Sequence, residues 1–162
     1  MNYKAFNVCE KKDSDNNTIA DFITENWGSP RSVSKGKVYE VRKLPGFICK
    51  ENDRIVGLIT YHIENRECEI VTLDSKINNK GLGTELINRV IEKAKDSGCK
   101  RLWLITTNDN AHAIKFYQKR GFEWNAFYKD AMQISRKLKP EIPEFGNDGI
   151  PIKHEIEFEL IL

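Results

Sequence analysis

Gly81-Leu82-Gly83 sits where one sequence pattern gives way to another. Upstream, Glu69-Ile70-Val71-Thr72-Leu73 predicts a strand over residues 68–73, with Glu69, Val71 and Leu73 on one face by alternation. Asp74, Ser75, Asn78 and Asn79 then break the apolar run. Downstream, Leu82, Leu86, Ile87, Val90, Ile91 and Ala94 recur at the spacing of an amphipathic helix, and Gly98 falls where a helix-ending glycine is expected. The first N–H groups of a helix have no internal partner and form its partly positive end. Glycines without a Cβ let an anion approach that end closely. A strand, Gly-x-Gly and a helix in this order make a phosphate cradle. The alternative is that the two glycines only turn the chain tightly.

The neighbouring residues narrow the ligand. A P-loop closes on Gly-Lys-Ser/Thr, whereas Gly83 is followed by Thr84 and Glu85. A dinucleotide fingerprint needs a third small residue where this chain has Leu86. A second constellation lies on a helix expected over 110–119. Asn110, Ala113, Ile114 and Tyr117 fall on one face, because seven residues make nearly two turns. An amide and a phenol flanking a small alanine can frame a ligand. They can equally be a helix cap and a core tyrosine.

Asn78-Asn79-Lys80-Gly81-Leu82-Gly83 resembles the acyl-coenzyme A pyrophosphate loop of the GNAT superfamily of N-acetyltransferases, whose pattern is Arg/Gln-x-x-Gly-x-Gly/Ala. Asn110-Ala111-His112-Ala113-Ile114-Lys115-Phe116-Tyr117, followed by Gly121-Phe122, resembles that family's second signature. The resemblance covers residues 45–125, and Asn78 departs from the usual Arg or Gln. It implies an α/β (α+β mixed sheet) fold: a central mixed β-sheet of six to seven strands flanked by helices, with a central βαβ unit. It implies acetyl-CoA as co-substrate and no metal. Backbone N–H groups from Lys80 to Thr84 would hold the pyrophosphate, with Lys80 adding a charge. The pantetheine arm would pair with the backbone of Leu73 and Ser75 like an added strand. Asp74, Asn79, Asn108, Asn110, Ala113 and Tyr117 complete the expected coenzyme site, with Leu82 in the loop itself. The Leu73 N–H would face the thioester oxygen. Tyr117 matches the family's proton donor to the leaving thiolate.

An alkyl amine has a pKa near 10.4 and must shed a proton to attack, which calls for a carboxylate base. Glu69 is the candidate, from its place on the strand and from the family's habit of using a glutamate there; His62 and His112 are weaker alternatives. The expected function is transfer of an acetyl group to an amine by direct attack in a ternary complex. The alternatives are a coenzyme-binding sensor without turnover and a structural domain whose glycines only turn the chain. The acceptor, a small molecule or a peptide amine, stays open among peptide N-termini, lysines, polyamines, aminoglycosides and metabolites. Monomer and homodimer are both compatible.

Composition bounds the rest. With 162 residues one domain, 1–162, is expected, long enough to bury a core. A net charge of +2 gives no reason to expect nucleic acid as a partner. No apolar run of about 18 residues predicts a membrane span, and the start lacks a signal-peptide core, so a cytoplasmic protein is expected. Cys9, Cys49, Cys68 and Cys99 lack metal or redox spacing and read as buried free thiols. His62, His112 and His154 show no ligand spacing.

In chain order the pattern predicts a strand over 4–9 and a helix over 15–27 with Ile19, Phe22, Ile23 and Trp27 on one side. A polar loop over 28–37 follows. Strands are expected over 38–41 and from 47, then a long one over 55–63. After the glycine-led helix come a buried strand over 101–106, the 110–119 helix, a strand over 122–128 and a short helix over 131–138. Residues 139–151 are too rich in proline and glycine for regular structure. Residues 152–162 alternate, predicting a strand with Glu155, Glu157 and Glu159 in an outward acidic row.

Overall fold

The computed structural model describes residues 5–162. It runs β1 (Val8–Glu10), α1 (Asn16–Trp27), β2 (Arg31–Ser34), β3 (Lys37–Glu40), β4 (Gly46–Glu51), β5 (Arg54–Glu64), β6 (Glu67–Ser75) and α2 (Leu82–Asp96). There follow β7 (Arg101–Thr107), α3 (Ala111–Gln118), β8 (Glu123–Tyr128), α4 (Met132–Leu138) and β9 (Glu155–Ile161). Seven strands form one sheet in the order β1-β4-β5-β6-β7-β9-β8, and β2 pairs with β3 in a separate hairpin. β6 and β7 are parallel through the crossover helix α2, and the other sheet neighbours are antiparallel. The mixed sheet with a central βαβ unit is therefore present as expected.

Local sequence accounts for much of this. Asn52-Asp53 and Asn65-Arg66 hold positive φ at both residues, the two-residue turn geometry that suits twisted strands. β4, β5 and β6 accordingly fold as a meander. α2 buries Leu82, Leu86, Ile87, Val90 and Ala94 on one stripe. Gly57 lies beneath it; a Cβ there would stand 2.7 Å from Leu82 Cδ2, so the missing side chain lets the helix settle on the sheet. At its end the Cys99 N–H bonds the Ala94 carbonyl and the Gly98 N–H bonds that of Lys95, each at 2.9 Å, a Schellman cap. The sheet divides the core. Ile59, Ile70, Leu102, Leu104 and Phe158 pack with α2 and Tyr117 of α3, while Ile19, Phe22 and Ile23 of α1 pack with Ile48 and Leu58.

Five expectations change. Thr60 pairs with Thr72 and Tyr61 with Ile70, so Val71 is an extra residue in β6, a β-bulge. Glu69 and Asp74 thus share the face of their partners His62 and Leu58, and Leu73 lies on the opposite face from Glu69 rather than beside it. Residues 28–37 are not a loop throughout, because Lys35-Gly36 closes a β2–β3 hairpin with positive φ at both positions. Cys9 is exposed; only Cys49, Cys68 and Cys99 are buried. The first strand is Val8–Glu10, and Lys4 lies outside the described residues.

The fifth change is the largest. The acidic row of β9 points inward: Glu155 is 3% and Glu157 1% exposed. β9 is not at the sheet's edge but between β7 and β8, and its first four residues, from Glu155 to Phe158, are buried on both faces. Glu157 accepts from Arg101 (3.0 Å) and Asn125 (2.6 Å) on one oxygen, and from Lys35 (3.0 Å) and Tyr128 (2.9 Å) on the other. Burial pushes its carboxyl up, but the bonds from Lys35, Arg101, Asn125 and Tyr128 together hold it down at about 2. Because that value lies below the unfolded one, the stabilisation is present above about pH 4.5 and lost as pH falls through about 2. Glu157→Ala is expected to lower unfolding free energy at pH 7 by about 3 kcal/mol, the scale for breaking a buried ion pair. Urea denaturation at pH 7 and at pH 3 checks it: the gap between variant and wild type should narrow at the lower pH.

Candidate functional site

The β6–β7 ladder spans only Glu67–Ile70 against Arg101–Leu104. Both strands continue, to Ser75 and Thr107, without pairing to each other. They part at their carboxyl ends, where open α/β sheets bind ligands. The Lys76 N–H bonds the Val56 carbonyl at 2.8 Å. Antiparallel alternation then turns the polar backbone of Asp74 and Thr72 toward β5, and that of Ser75 and Leu73 into the gap. The gap therefore has an open strand edge built from the two residues expected to pair with a ligand.

A cleft of about 1330 Å³ passes through this gap. Of the residues expected from sequence, Leu73, Asp74, Ser75, Asn79, Gly81, Leu82, Gly83, Asn110, Ala113 and Tyr117 line it. Lys80 is exposed and does not, nor do Thr84, Asn108 and Glu69. Asn108 is occupied elsewhere: its amide accepts from the N–H groups of Lys153 and His154 at 2.9 Å and donates to the Pro151 carbonyl. Asn110 caps α3, accepting from the Ala113 N–H at 3.1 Å, which is the cap reading of that residue.

The two glycines have separate causes. Gly81, before α2, holds φ at 86°, a left-handed conformation that only glycine adopts cheaply, and the space beside it is open. Gly83 is needed for packing, since a Cβ would meet the Phe116 ring at 3.0 Å. A cation that sequence reading missed also reaches this corner. Arg120 donates to Thr84 Oγ1 from Nε (2.9 Å) and Nη2 (2.6 Å) and to the Phe116 carbonyl from Nη1, with its guanidinium 3.4 Å from the Phe116 ring centre. It lines the cleft beside the start of α2. It stands in the turn after α3, beyond the helix that the sequence assigned to the site, so motif spacing did not reach it.

The acids divide between two cavities. Asp74 lines the large cleft. One of its oxygens accepts from the Trp27 indole N–H at 2.8 Å, and the other is buried with no partner among the described residues. Burial pushes its carboxyl up to about 6. Tyr117 packs edge-on against Phe116 and Phe122; burial, then the nearby Asp74 charge, push its phenol well above the ordinary value of 10. Glu155, unassigned by sequence, also lines the cleft and accepts from Ser135 at 3.0 Å. Glu69 opens instead on a smaller cavity of about 220 Å³ with Ser34, Tyr39, His62 and Trp103. The Tyr39 hydroxyl donates to it at 2.7 Å, and burial raises its pKa against the opposing effect of Ser34 and Tyr39. The described residues hold no cluster of three or more His, Cys, Asp or Glu placed to bind a metal, and no helix among them is long and apolar enough to cross a membrane.

Three comparisons bear on this geometry. The family model described as "Acetyltransferase (GNAT) family" matches residues 16–122. Uncharacterized protein YdhI of Bacillus subtilis is 46% identical over 145 residues, covering 89% of this chain and 91% of that protein. Among solved structures, a Bacillus subtilis acetyltransferase in complex with CoA superposes with a TM-score of 0.69 at 19% identity, over 98% of this chain and 99% of that one. A GNAT family acetyltransferase from Elizabethkingia anophelis with acetyl-CoA bound gives a TM-score of 0.65 at 21% identity, over 96% and 99%. At such identities the two structures speak for the fold.

Asp74 carries a stability cost that pH exposes. Its folded pKa, about 6, lies above the unfolded 3.8, so wild-type stability falls as pH rises across that window and then levels. Asp74→Asn keeps an acceptor for Trp27 and is expected to be more stable than wild type at pH 8, by on the order of 2 kcal/mol. Thermal unfolding from pH 4 to pH 8 checks this: the advantage should grow between pH 4 and 6 and vanish below.

Proposed function

The chain belongs to the GNAT family of acetyltransferases, and from that premise we propose that it moves an acetyl group from acetyl-CoA to an amine acceptor by direct attack in a ternary complex, within one catalytic domain spanning 1–162. The observation that carries the reading is the open backbone edge of Leu73 and Ser75 in the β6–β7 gap, leading to the Gly81 start of α2. The residues fit the coenzyme. A strand edge with free N–H and C=O groups suits an amide-bearing pantetheine arm. A helix start with Arg120 beside it suits the pyrophosphate, and Arg120 brings charge where Asn78 replaces the family's usual Arg or Gln. Acetyl-CoA supplies the activated acyl group and a thiol as leaving group.

The protein's own groups do the rest. The Leu73 N–H stabilises negative charge as it develops on the acyl oxygen. The amine nitrogen forms the new C–N bond, the C–S bond breaks, and the amine's proton passes to a carboxylate. Glu69 is the sequence's candidate and acts through water from the neighbouring cavity. Asp74 is the second reading, favoured because it lines the cleft without a charged partner among the described residues and has a pKa of about 6, near the working pH. Tyr117 lines the cleft and would lie beside the thioester sulfur, as the family resemblance implies. Its phenol is a weaker acid than a thiol of pKa near 8.5, so complete proton transfer runs uphill, and its contribution is a hydrogen bond to the developing thiolate.

Calorimetric titration with acetyl-CoA tests the reading; micromolar affinity is expected, and absence of binding would remove it. Tyr117→Phe is expected to lower kcat about a hundredfold while the acetyl-CoA Kd stays within about twofold. Asp74→Asn and Glu69→Gln, compared across pH, choose the base. If Asp74 is the base, its substitution abolishes the acidic limb near pH 6 and Glu69→Gln leaves that limb in place; the reverse pattern assigns the role to Glu69.

A further inference from the structure

The wall of the cleft away from α2 is built from the end of α1, the β2 segment and residues 139–147. Lys139 belongs to this wall and is 7% exposed. Its backbone N–H closes α4 on the Ser135 carbonyl at 2.8 Å. Its ammonium has no hydrogen-bond or ion-pair partner among the described residues; the charges that influence it are Glu141 and Arg31. Both also line the cleft, and they face each other at 3.8 Å with each side chain about two-fifths exposed. Two cations thus share one solvated acid. A lysine so largely enclosed, without a counter-ion in contact, is costly to keep charged, and burial lowers its pKa. An anion entering the cleft would relieve that cost.

Carboxylates line the same cleft. Asp74 is among them, with one oxygen on the Trp27 indole and the other buried beneath the wall, and Glu155 accepts from the Ser135 hydroxyl at 3.0 Å and from the Lys35 backbone. The walls therefore offer an anion position at Lys139 and Arg31 and an ammonium position at Asp74. We infer that the acceptor is an aminocarboxylate, an amine and a carboxylate on one molecule, with the carboxylate on Lys139 and Arg31 and the amine directed to Asp74. This deepens the acetyl-transfer reading and rests on it. Acceptors with amines alone, such as linear polyamines, meet two cations that share a single acid and are poor substrates.

The test uses the full chain, acetyl-CoA and acceptor pairs that differ by one carboxylate: L-lysine with cadaverine, L-ornithine with putrescine, and L-phenylalanine with phenethylamine. Thiol release gives kcat/KM, corrected for the free-amine fraction. In at least one pair the carboxylated member should be favoured about tenfold or more, the scale of one charged hydrogen bond. Lys139→Met should erase that preference through KM, and Lys139→Arg should largely keep it. The Kd for acetyl-CoA, measured alongside, should be unchanged in both variants, which also reports that they fold. Equal or better turnover of the decarboxylated partners overturns the inference. So does a carboxylate preference that survives Lys139→Met, or the lack of carboxylate-dependent turnover in every pair while acetyl-CoA binds. Failure of the wild type to bind acetyl-CoA is a different result, since it removes the functional reading beneath.

Discussion

β6 and β7 stop pairing after Ile70 and Leu104, and the rest of the architecture accommodates that one divergence. Parallel neighbours normally bury and satisfy one another along their length. Here β6 runs on to Ser75 with an edge open toward its former partner. The Val71 bulge is part of the cause, because an extra residue bends a strand and raises its local twist. The Thr60–Thr72 hydroxyl contact at 2.7 Å restores register with β5 beyond the bulge. Backbone groups left in a gap need partners, from water or from a ligand. The divergence makes a slot whose polar edge matches an extended amide chain, at the point where α2 presents unpaired N–H groups.

A second constraint acts on the opposite end of the sheet. Glu157 is fully buried and holds Lys35, Arg101, Asn125 and Tyr128 around it. The net stabilisation from such a cluster is small against hydrophobic burial, because desolvation offsets attraction. Its consequence is positional. Lys35 lies at the tip of the β2–β3 hairpin, over the rings of Trp103 and Tyr128 at 5.2 Å from each. The hairpin is therefore fastened to the sheet by a charge, and its other end contributes Arg31, Ser32 and Val33 to the cleft. A buried carboxylate in β9 thus fixes part of the wall that faces β6.

What the sequence made legible follows the range of the forces involved. The α2 stripe, the Gly98 cap, the turns at Asn52-Asp53 and Asn65-Arg66, and the βαβ order are set by residues within a few positions of one another. The bulge was not legible, because alternation over five residues reads the same with or without it; only the partner strand shows that Thr72 sits opposite Thr60. The acidic row of β9 was misread for a similar reason. Alternating apolar and acidic residues describe a half-exposed strand unless the strand is inserted between two others, and strand order is a non-local property. The β2 segment carries one apolar residue in four and gave no period to read. Within the site, the residues near Gly81 and Tyr117 were recoverable from motif spacing. Arg120, Glu155 and Lys139 were not, because they reach the cleft from elements whose packing the sequence does not order.

That division has a chemical logic. The side of the cleft toward α2 is made of backbone: a strand edge, a helix start and a glycine held at positive φ. Backbone groups are the same for every residue type, so such a surface constrains sequence only where a side chain would intrude or a conformation demands glycine. It leaves a short, recognisable pattern and recognises one chemical shape. The opposite side is made of side chains, among them Asp74, Lys139, Arg31 and Glu155, which come from separate segments and can change without disturbing the slot. The motif in this chain accordingly names a family, whereas the charged side chains across the cleft leave no such pattern in the sequence.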